Sequence, residues 1–391
     1  MHDSSALCPV CAAPDWRVFF TMPAVPVFCN LLWPDPEAAQ HCPKAEIDLA
    51  FCSHCGFIGN ATFDPSRLDY GQTYENALDF SPRFQDYANA LALRLIEQYH
   101  LRHKTIVEIG CGKGEFLVSL CEKGNNRGIG FDPSYVPLPE HEPWQEQIQF
   151  IPDYYSERYA DRVADFICCR HTLEHIPLPN KLLHTVRQAI GDGSIPVFFE
   201  VPNALDTFRH LAIWDIIYEH CCYFAPITLT YAFAANGFQV QNLTEAYRGQ
   251  FLCVEAVPAD PCPLLPPAAE LELLAQDVAQ FASRFHRKLS AWQQTLDELQ
   301  QQGKTAVVWG AGSKGVTFLN LISRREQIQG VVDINPRKTG MYVAGTGQQI
   351  IAPEALPTVQ PDVIFVMNAI YQDEIRQMAS EQGLSPDLVC V

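Results

Sequence analysis

The most constraining feature of the sequence is a series of short apolar runs that alternate with helical stretches over residues 105–200. In order, the runs read TIVEIG, RGIGFD, IQFIPD, ADFICC and IPVFFE. This alternation predicts a parallel sheet whose strands are joined by crossover helices. Two later runs, GFQVQNLTEA and FLCVEAV, lie close together and predict a hairpin that closes the sheet antiparallel. We therefore expect a seven-stranded, Rossmann-like α/β domain.

Composition divides the 391 residues into three predicted domains. Residues 1–75 are rich in Pro and Cys with little periodicity, whereas residues 76–257 contain a helical pattern over 83–100 and the alternating runs. Residues 258–267 hold five prolines in ten positions and predict a linker. The third domain, 258–391, continues with a long helix and a second strand–glycine–helix unit, which predicts a smaller Rossmann-like α/β domain.

Four cysteines have the spacing of a metal site. The run CPVC supplies Cys8 and Cys11, and the run CSHC supplies Cys52 and Cys55. Each knuckle offers two thiolates from one tight turn, so the pair predicts a tetrahedral Zn²⁺ site. A site closed by four sulfurs is structural rather than catalytic. The alternative ligands nearby are Cys29, His41, Cys42 and His54.

The run TIVEIGCGKGEFLVSL predicts a strand, a glycine-rich turn and a helix. Its glycines, Gly110, Gly112 and Gly114, allow the backbone to approach a ligand closely. Glu108 lies just before the turn, and Asp132 ends the next strand, where its carboxylate can accept both hydroxyls of a ribose. This spacing is typical of S-adenosylmethionine sites rather than of the dinucleotide pattern Gly-x-Gly-x-x-Gly. We expect these five residues to bind S-adenosyl-L-methionine.

Two further positions leave alternatives open. Asp153 follows the third strand and either contacts the adenine of the cofactor or caps the next helix. The run GAGSKG has the dinucleotide spacing at Gly310, Gly312 and Gly315. This second loop could hold NAD, or the diphosphate or nucleoside of a substrate on its backbone N–H groups, or no ligand at all. Lys314 would add a positive charge there.

The formal net charge of −18 argues against a nucleic-acid partner, because a phosphate backbone would be repelled. The longest apolar runs are far shorter than a bilayer span, and the first residues lack the basic and apolar segments of a secretory signal. We therefore expect a cytoplasmic protein with no membrane contact. A chain whose domains close around its own site can act as a monomer, which is the expected state.

The two Cys-x-x-Cys knuckles, VEIGCGKGEF, HTLEHI, YEHCCYF and GAGSKG follow one another in this order. The chain thereby resembles, over essentially its whole length, the zinc-containing sugar C-methyltransferases that methylate C-3 of nucleotide-linked 4-keto-deoxysugars. The resemblance implies a class I methyltransferase fold with S-adenosyl-L-methionine and a structural Zn²⁺. It also implies a small-molecule acceptor, a nucleotide-linked sugar held between the middle and C-terminal domains.

The resemblance also implies a mechanism in which a base removes the proton next to the keto group and the enolate attacks the methyl group. A Tyr-His-Glu-His segment supplies the base in that family, and its last two residues correspond to Glu219 and His220 here. His175 corresponds to a substrate-binding histidine. An imidazole in apolar surroundings stays neutral and can accept a proton near pH 7, while Glu219 could orient it. Tyr218 could hydrogen-bond the enolate oxygen.

The catalytic segment departs from the family pattern, since Ile217 and Tyr218 stand where the family has Tyr and His. This difference leaves open an O- or N-methyltransferase that acts on another small molecule or sugar. Use of Gly310, Gly312 and Gly315 by an NAD-dependent oxidoreductase is a further alternative. Around His175, His171 is a lesser candidate for substrate contact, and Glu174 is expected to be only a helix residue.

Overall fold

The computed structural model describes residues 7–68, 74–75, 77, 79–161, 164–262 and 265–391. The first of these ranges folds into long antiparallel strands rather than irregular loops. Its elements are β1 (Trp16–Pro26), α1 (Pro36–Gln40), β2 (Lys44–Cys52) and β3 (Ile58–Asn60). The low periodicity predicted no such sheet, because two register shifts in β1, between Val18 and Phe20 and between Met22 and Val25, interrupt its apolar alternation.

The middle of the chain alternates helices and strands as predicted. Its elements are α2 (Pro82–Gln98), β4 (Thr105–Ile109), α3 (Glu115–Gly124), β5 (Arg127–Phe131), β6 (Ile148–Ile151), β7 (Phe166–Arg170), α4 (Pro179–Ile190), β8 (Val197–Pro202), α5 (Ala204–Phe208), β9 (Cys222–Tyr223), α6 (Pro226–Ala235), β10 (Phe238–Ala246) and β11 (Phe251–Pro258). Seven of these strands form one sheet in the order β10-β11-β8-β7-β4-β5-β6. In this sheet β11 runs opposite to the other six strands, so it pairs antiparallel with both β8 and β10. This is the strand order of class I methyltransferases and confirms the predicted fold class.

The C-terminal part is a second α/β unit behind a long helix. Its elements are α7 (Ala268–Gln301), β12 (Ala306–Trp309), α8 (Ser313–Leu321), β13 (Ile328–Val332), β14 (Ile350–Ile351), α9 (Leu356–Val359), β15 (Val363–Val366), α10 (Gln372–Glu381) and β16 (Asp387–Cys390). Its five strands are all parallel, in the order β14-β13-β12-β15-β16. The smaller Rossmann-like domain is therefore present, and its two edge strands, β14 and β16, are additions to the three predicted ones.

The N-terminal sheet is completed by a strand from the middle of the chain. Its order is β1-β2-β3-β9, and β9 pairs antiparallel with β3. One apolar face of this sheet packs on α7, where the ring of Phe20 lies 5.0 Å from that of Phe281 and 4.7 Å from that of Phe285. The predicted division into three domains stays a prediction, but the first region has no complete sheet of its own.

Among the helices in the described ranges, none combines the length and apolar character needed to cross a bilayer.

Candidate functional site

Four cysteines from the two knuckles come together as predicted. The Sγ atoms of Cys8, Cys11, Cys52 and Cys55 all lie within 4.8 Å of one another. Two of these pairs are close, at 3.7 Å for Cys8–Cys55 and 3.5 Å for Cys11–Cys52. Four sulfurs around a tetrahedral zinc with bonds of about 2.3 Å would stand about 3.8 Å apart, so the donor set fits Zn²⁺. None of the four alternative ligands belongs to this cluster.

A cavity of about 430 Å³ lies at the carboxyl ends of β4, β5 and β6, and we call it the strand-end cavity. Its lining includes Gly110, Asp132, Asp153 and Thr172. The size is within the range of small-molecule sites, and its position is where open α/β sheets bind ligands. Gly110 has a positive φ, and an added Cβ would lie 1.8 Å from Thr172 Oγ1, so no larger residue fits this turn.

Asp132 joins the two strand ends at this cavity. Its Oδ2 accepts a hydrogen bond from the backbone N–H of Gly112 at 2.9 Å, and its Oδ1 accepts from the N–H and hydroxyl of Ser134. The carboxylate is therefore fixed at the cavity wall while its oxygens keep further lone pairs for a ligand. Gly112 also has a positive φ, and nothing lies within 4 Å of the place where a Cβ would be. This open space suits a ligand held against the loop backbone.

Glu108 lies in β4 beneath the loop and is only 2% exposed. Burial raises the pKa of its carboxyl group to about 8. Glu108, Gly112 and Gly114 stand outside the lining of the strand-end cavity, and Gly114 forms the N-cap of α3. Of the six residues predicted to bind the cofactor, Gly110, Asp132 and Asp153 therefore line the cavity.

Asp153 does not cap a helix, so that alternative is wrong. The next helical turn, Glu157–Tyr159, has Ser156 as its N-cap. The side chain of Asp153 instead accepts a hydrogen bond from the hydroxyl of Tyr159 at 2.7 Å and pairs with Arg158. It is thereby held at the cavity wall, and contact with a bound cofactor stays a prediction.

We expect Asp132→Ala to weaken binding of S-adenosylhomocysteine about tenfold to a hundredfold, because hydrogen bonds to a charged group contribute about 1.5–3 kcal/mol each. Titration calorimetry measures the change. Glu146→Ala, which removes an exposed carboxylate from the same domain, is the matched control. Unchanged affinity in Asp132→Ala would remove this residue from the site.

A second cavity, of about 280 Å³, lies between the middle and C-terminal domains and is called the interdomain cavity. Its lining includes His220 and Glu174 on one side and the second glycine loop on the other. The two cavities share three lining residues, Tyr74, His171 and His175. A ligand in one cavity can therefore meet a ligand in the other at these side chains.

His220 and His175 are neighbours, with ring centroids 4.9 Å apart. The Nδ1 of His175 donates to the carbonyl oxygen of Glu219 at 2.9 Å, and the Nδ1 of His220 donates to that of Asp215 at 3.2 Å. A carbonyl can only accept, so a neutral ring in either position carries its proton on Nδ1 and its lone pair on Nε2. Burial lowers the pKa of both imidazoles, that of His175 most strongly, so both rings are neutral near pH 7.

Glu219 is fully buried, and its side chain turns toward the N-terminal sheet rather than toward His220. Its Oε2 accepts a hydrogen bond from the backbone N–H of Cys29 at 2.9 Å. Burial raises the pKa of this carboxyl to about 7, although hydrogen bonds from Cys29 and Tyr74 act in the opposite direction. Glu219 orients His175 through its carbonyl oxygen, and the carbonyl of Asp215 takes the expected orienting role at His220.

Tyr218 lies outside both cavities, since its hydroxyl accepts a hydrogen bond from the backbone N–H of Asp64 at 2.9 Å. The structure therefore does not place it where it could bind an enolate oxygen. Tyr74 lines both cavities and hydrogen-bonds Glu219, and Tyr247 and Tyr371 also line the interdomain cavity. No local pattern points to Tyr74, because it stands alone in a segment without periodicity.

His171 stands at the junction of the two cavities with a φ of 49°, a backbone conformation uncommon for residues other than glycine. Its Nε2 lies 2.6 Å from Glu200 Oε1, which also accepts from Arg170 at 2.9 Å. Burial alone would raise the pKa of Glu200, but Arg170 and His171 lower it well below the ordinary value. Glu200, held in place by buried Arg170, thereby fixes the direction of the His171 ring.

Two ammonium groups lie at the interdomain cavity beside the second glycine loop. Lys314, in the first turn of α8, extends to Gln250 Oε1 at 3.1 Å, and Lys338 lies 3.5 Å from Asp333 Oδ2 and is 6% exposed. Asp333 accepts the backbone N–H of Ala311 at 2.8 Å. The N-terminus of α8 and both lysines make this wall suitable for an anionic group.

Two family models match the chain. Residues 82–243 match a methyltransferase domain, and residues 269–384 match the C-methyltransferase C-terminal domain. Curated relatives include the ubiquinone biosynthesis O-methyltransferases of Hydrogenovibrio crunogenus and Pasteurella multocida, each 28% identical, over 151 and 156 residues. Each alignment covers 36% of this chain and 61% of the relative. The chain thus spans less than two thirds of the length of these relatives.

Solved structures with a similar middle domain include the 1,6-didemethyltoxoflavin-N1-methyltransferase of Burkholderia thailandensis, with 16% identity, a TM-score of 0.36 and coverage of 46% of this chain and 83% of that one. Magnesium protoporphyrin IX methyltransferase from Synechocystis has 15% identity, a TM-score of 0.34 and coverage of 45% and 84%. Because both scores are low, the fold assignment rests on the strand order of this chain. With that order and the two matches, residues 82–243 form a methyltransferase domain of the class I fold, and residues 269–384 match the C-terminal domain of C-methyltransferases.

Proposed function

We propose that the chain transfers a methyl group to a carbon atom next to the ketone of a nucleotide-linked deoxysugar, with His220 as the base. The observation that carries the proposal is the meeting of the two cavities at His171 and His175. A cofactor in the strand-end cavity would direct its methyl group toward an acceptor beside His220. When bound there, S-adenosylmethionine supplies the electrophilic methyl group.

The chain's own residues supply the proton transfer. His220 presents the Nε2 lone pair to the interdomain cavity, since its Nδ1 donates to Asp215. Its lowered pKa keeps it neutral near pH 7, so it can accept the proton. His175, held by the Glu219 carbonyl, can position the acceptor between the two cavities.

The acceptor's nucleotide would lie against the second glycine loop. A diphosphate there would meet the N-terminus of α8 and the ammonium groups of Lys314 and Lys338. NAD is the alternative ligand of this loop, and NAD found bound to purified protein would favour it.

Methyl transfer to a panel of nucleotide-linked 4-keto-6-deoxy sugars, followed by mass spectrometry and NMR, tests the proposal. A product one methylene heavier, with the new methyl group on carbon, is expected. Transfer to oxygen or nitrogen would instead favour an O- or N-methyltransferase. The identity of the curated relatives and the Ile217–Tyr218 departure support that second candidate.

We expect Lys314→Ala to raise KM for the sugar nucleotide about tenfold to a hundredfold with little change in kcat. The lysine would bind the diphosphate equally in the ground and transition states, and a charge-assisted bond contributes about 1.5–3 kcal/mol. Lys304→Ala, which removes a lysine paired with Asp387 on the outside of the same domain, is the control. A fall in kcat with unchanged KM would contradict this role.

A further inference from the structure

The methyl-transfer site needs a hydrogen-bond donor as well as a base. Removing the proton beside a ketone places negative charge on the ketone oxygen, and a donor aimed at that oxygen is worth about 10²–10³ in rate. Tyr218, the expected donor, is turned away toward Asp64. Another group of the cavity wall beside His220 must therefore donate the hydrogen bond to the ketone oxygen.

Glu174 is a side chain placed where it can donate this hydrogen bond. It lies in the helical turn Leu173–His175, lines the interdomain cavity and is 1% exposed. Its Oε2 has no hydrogen-bond partner among the described residues. One carboxylate oxygen of Glu174 and one ring nitrogen each of His175 and His220 lie within 4.8 Å of one another.

This spacing suits the two ends of an enolising ketone. The carbon that loses the proton and the carbonyl oxygen are about 2.4 Å apart by ordinary bond lengths. A base and an acid that each lie about 3 Å from their target can therefore act on both atoms when they stand 4–6 Å apart. Glu174 and His220 line the same side of the interdomain cavity, and a carboxylate oxygen and a ring nitrogen no more than 4.8 Å apart are close enough to act on both atoms.

Glu174 is also in the protonation state that a donor requires. Burial is the main cause that raises its pKa to about 8, and the carboxylates of Asp215 and Glu200 act in the same direction. The group is therefore a neutral carboxylic acid at pH 7 and becomes an acceptor-only carboxylate as the pH rises through about 8.

We propose that Glu174 is a catalytic acid of this site, whose O–H donates a hydrogen bond to the ketone oxygen while His220 takes the neighbouring carbon-bound proton. The proposal rests on the proposed function. The C–H electron pair forms the C=C bond, and the carbonyl π pair moves to the oxygen that Glu174 binds. When the enolate carbon forms its bond to the methyl group, the C=O bond returns and the S–CH₃ electron pair stays on sulfur. His220 then releases its proton to solvent.

The titratable groups that face Glu174 come from several segments, and a pH profile has to be interpreted with all of them. They are His171 and His175 from the same segment, Cys169 from β7, Glu200 from β8, Asp215, His220 and Cys221 from the segment that leads into β9, and Cys222 from β9. Among the residues that the structure describes, Glu174 alone combines burial, a place in the cavity wall and a pKa of about 8. The loss of rate at alkaline pH should therefore follow this group.

Two substitutions and one pH profile test the proposal on the chain of 391 residues, purified with Zn²⁺ present. Glu174→Leu removes the donor and is expected to lower kcat about 10²–10³-fold. Glu174→Gln keeps an N–H donor of the same shape, so it should lose less activity. Wild-type kcat should fall as the pH rises through about 8, and this alkaline fall should be absent in Glu174→Gln.

A readout independent of turnover is the infrared carbonyl stretch of a protonated carboxyl group at pH 7. The band of Glu174 should appear as intensity lost in Glu174→Gln relative to the wild type, because Glu108, whose pKa is also about 8, contributes its own band to both proteins. An unchanged alkaline fall in Glu174→Gln, or wild-type kcat in Glu174→Leu, would overturn the proposal. Binding of Co²⁺ by Glu174, His175 and His220, with activity that requires the ion, would also overturn it, because these residues would then be metal ligands. If the wild type methylates no carbon atom, the proposed function itself fails and the acid role falls with it.

Discussion

His220→Ala is expected to abolish methyl transfer almost completely, with a loss of about 10²–10⁴ in kcat, because a positioned general base contributes about this much. The substitution removes the Nε2 lone pair that faces the interdomain cavity. Affinity for S-adenosylhomocysteine should be unchanged, since His220 lies outside the strand-end cavity. The measurements are product formation by mass spectrometry and exchange of the acceptor's carbon-bound proton in heavy water.

The matched control is His184→Ala, which removes an exposed histidine of α4. It should behave as the wild type in both assays. In the wild type, activity should rise with pH at the acidic end as His220 loses its proton, at a pH below its ordinary pKa. Near-normal turnover by His220→Ala would assign the proton transfer to another group.

Cys52→Ser is expected to produce the largest loss of stability. Cys52 is fully buried, and serine cannot replace a thiolate at a zinc with four sulfur ligands. Structural zinc contributes on the order of 10 kcal/mol to folding in small zinc domains, so the melting temperature should fall sharply. Metal content and calorimetric melting measure the loss. Cys262→Ser, at an exposed cysteine, is the control and should change neither quantity.

Cys52→Ser should also loosen the segment around His220, the proposed base, while cofactor binding stays unchanged. The second knuckle leads into β3, which pairs with β9 directly after His220. Asn60 of β3 donates its backbone N–H to the carbonyl of Cys221 at 3.0 Å. At a temperature where Cys52→Ser is still folded, hydrogen exchange should therefore increase in residues 216–224, while S-adenosylhomocysteine still binds. Unchanged exchange in that segment would separate the metal from the catalytic site.

The middle domain could be predicted from the sequence because its signals are local. Each buried strand is a largely continuous apolar run. The turn at Gly110 needs glycine, because its φ is positive and an added Cβ would clash with Thr172. The knuckles at Cys8 and Cys52 are equally local, since two ligands come from one turn. Both features were visible without any knowledge of contacts between distant parts of the chain.

Other parts of the site could not be predicted because they depend on distant contacts. The orientation of Glu219 is set by Cys29, which is 190 positions away in the sequence. Tyr74 reaches the site from a segment with no periodic pattern, and Glu174 is distinguished only by its burial among other acidic and imidazole groups. Side-chain direction and local polarity arise from packing, and one sequence does not show them.

The pairing of β9 with β3 has a consequence for the order in which the chain is made. Strands β1–β3 leave the ribosome early, but their sheet lacks its last strand until Tyr223 emerges, and Phe20 lacks its cover until Phe281 emerges. At 5–20 residues per second, the nascent segment waits roughly ten to forty seconds for that cover. All four cysteines of the knuckles, in contrast, are made within the first 55 residues. Metal binding by the two knuckles is thus a contact between distant residues that this segment can form before its covering strand and helix are made.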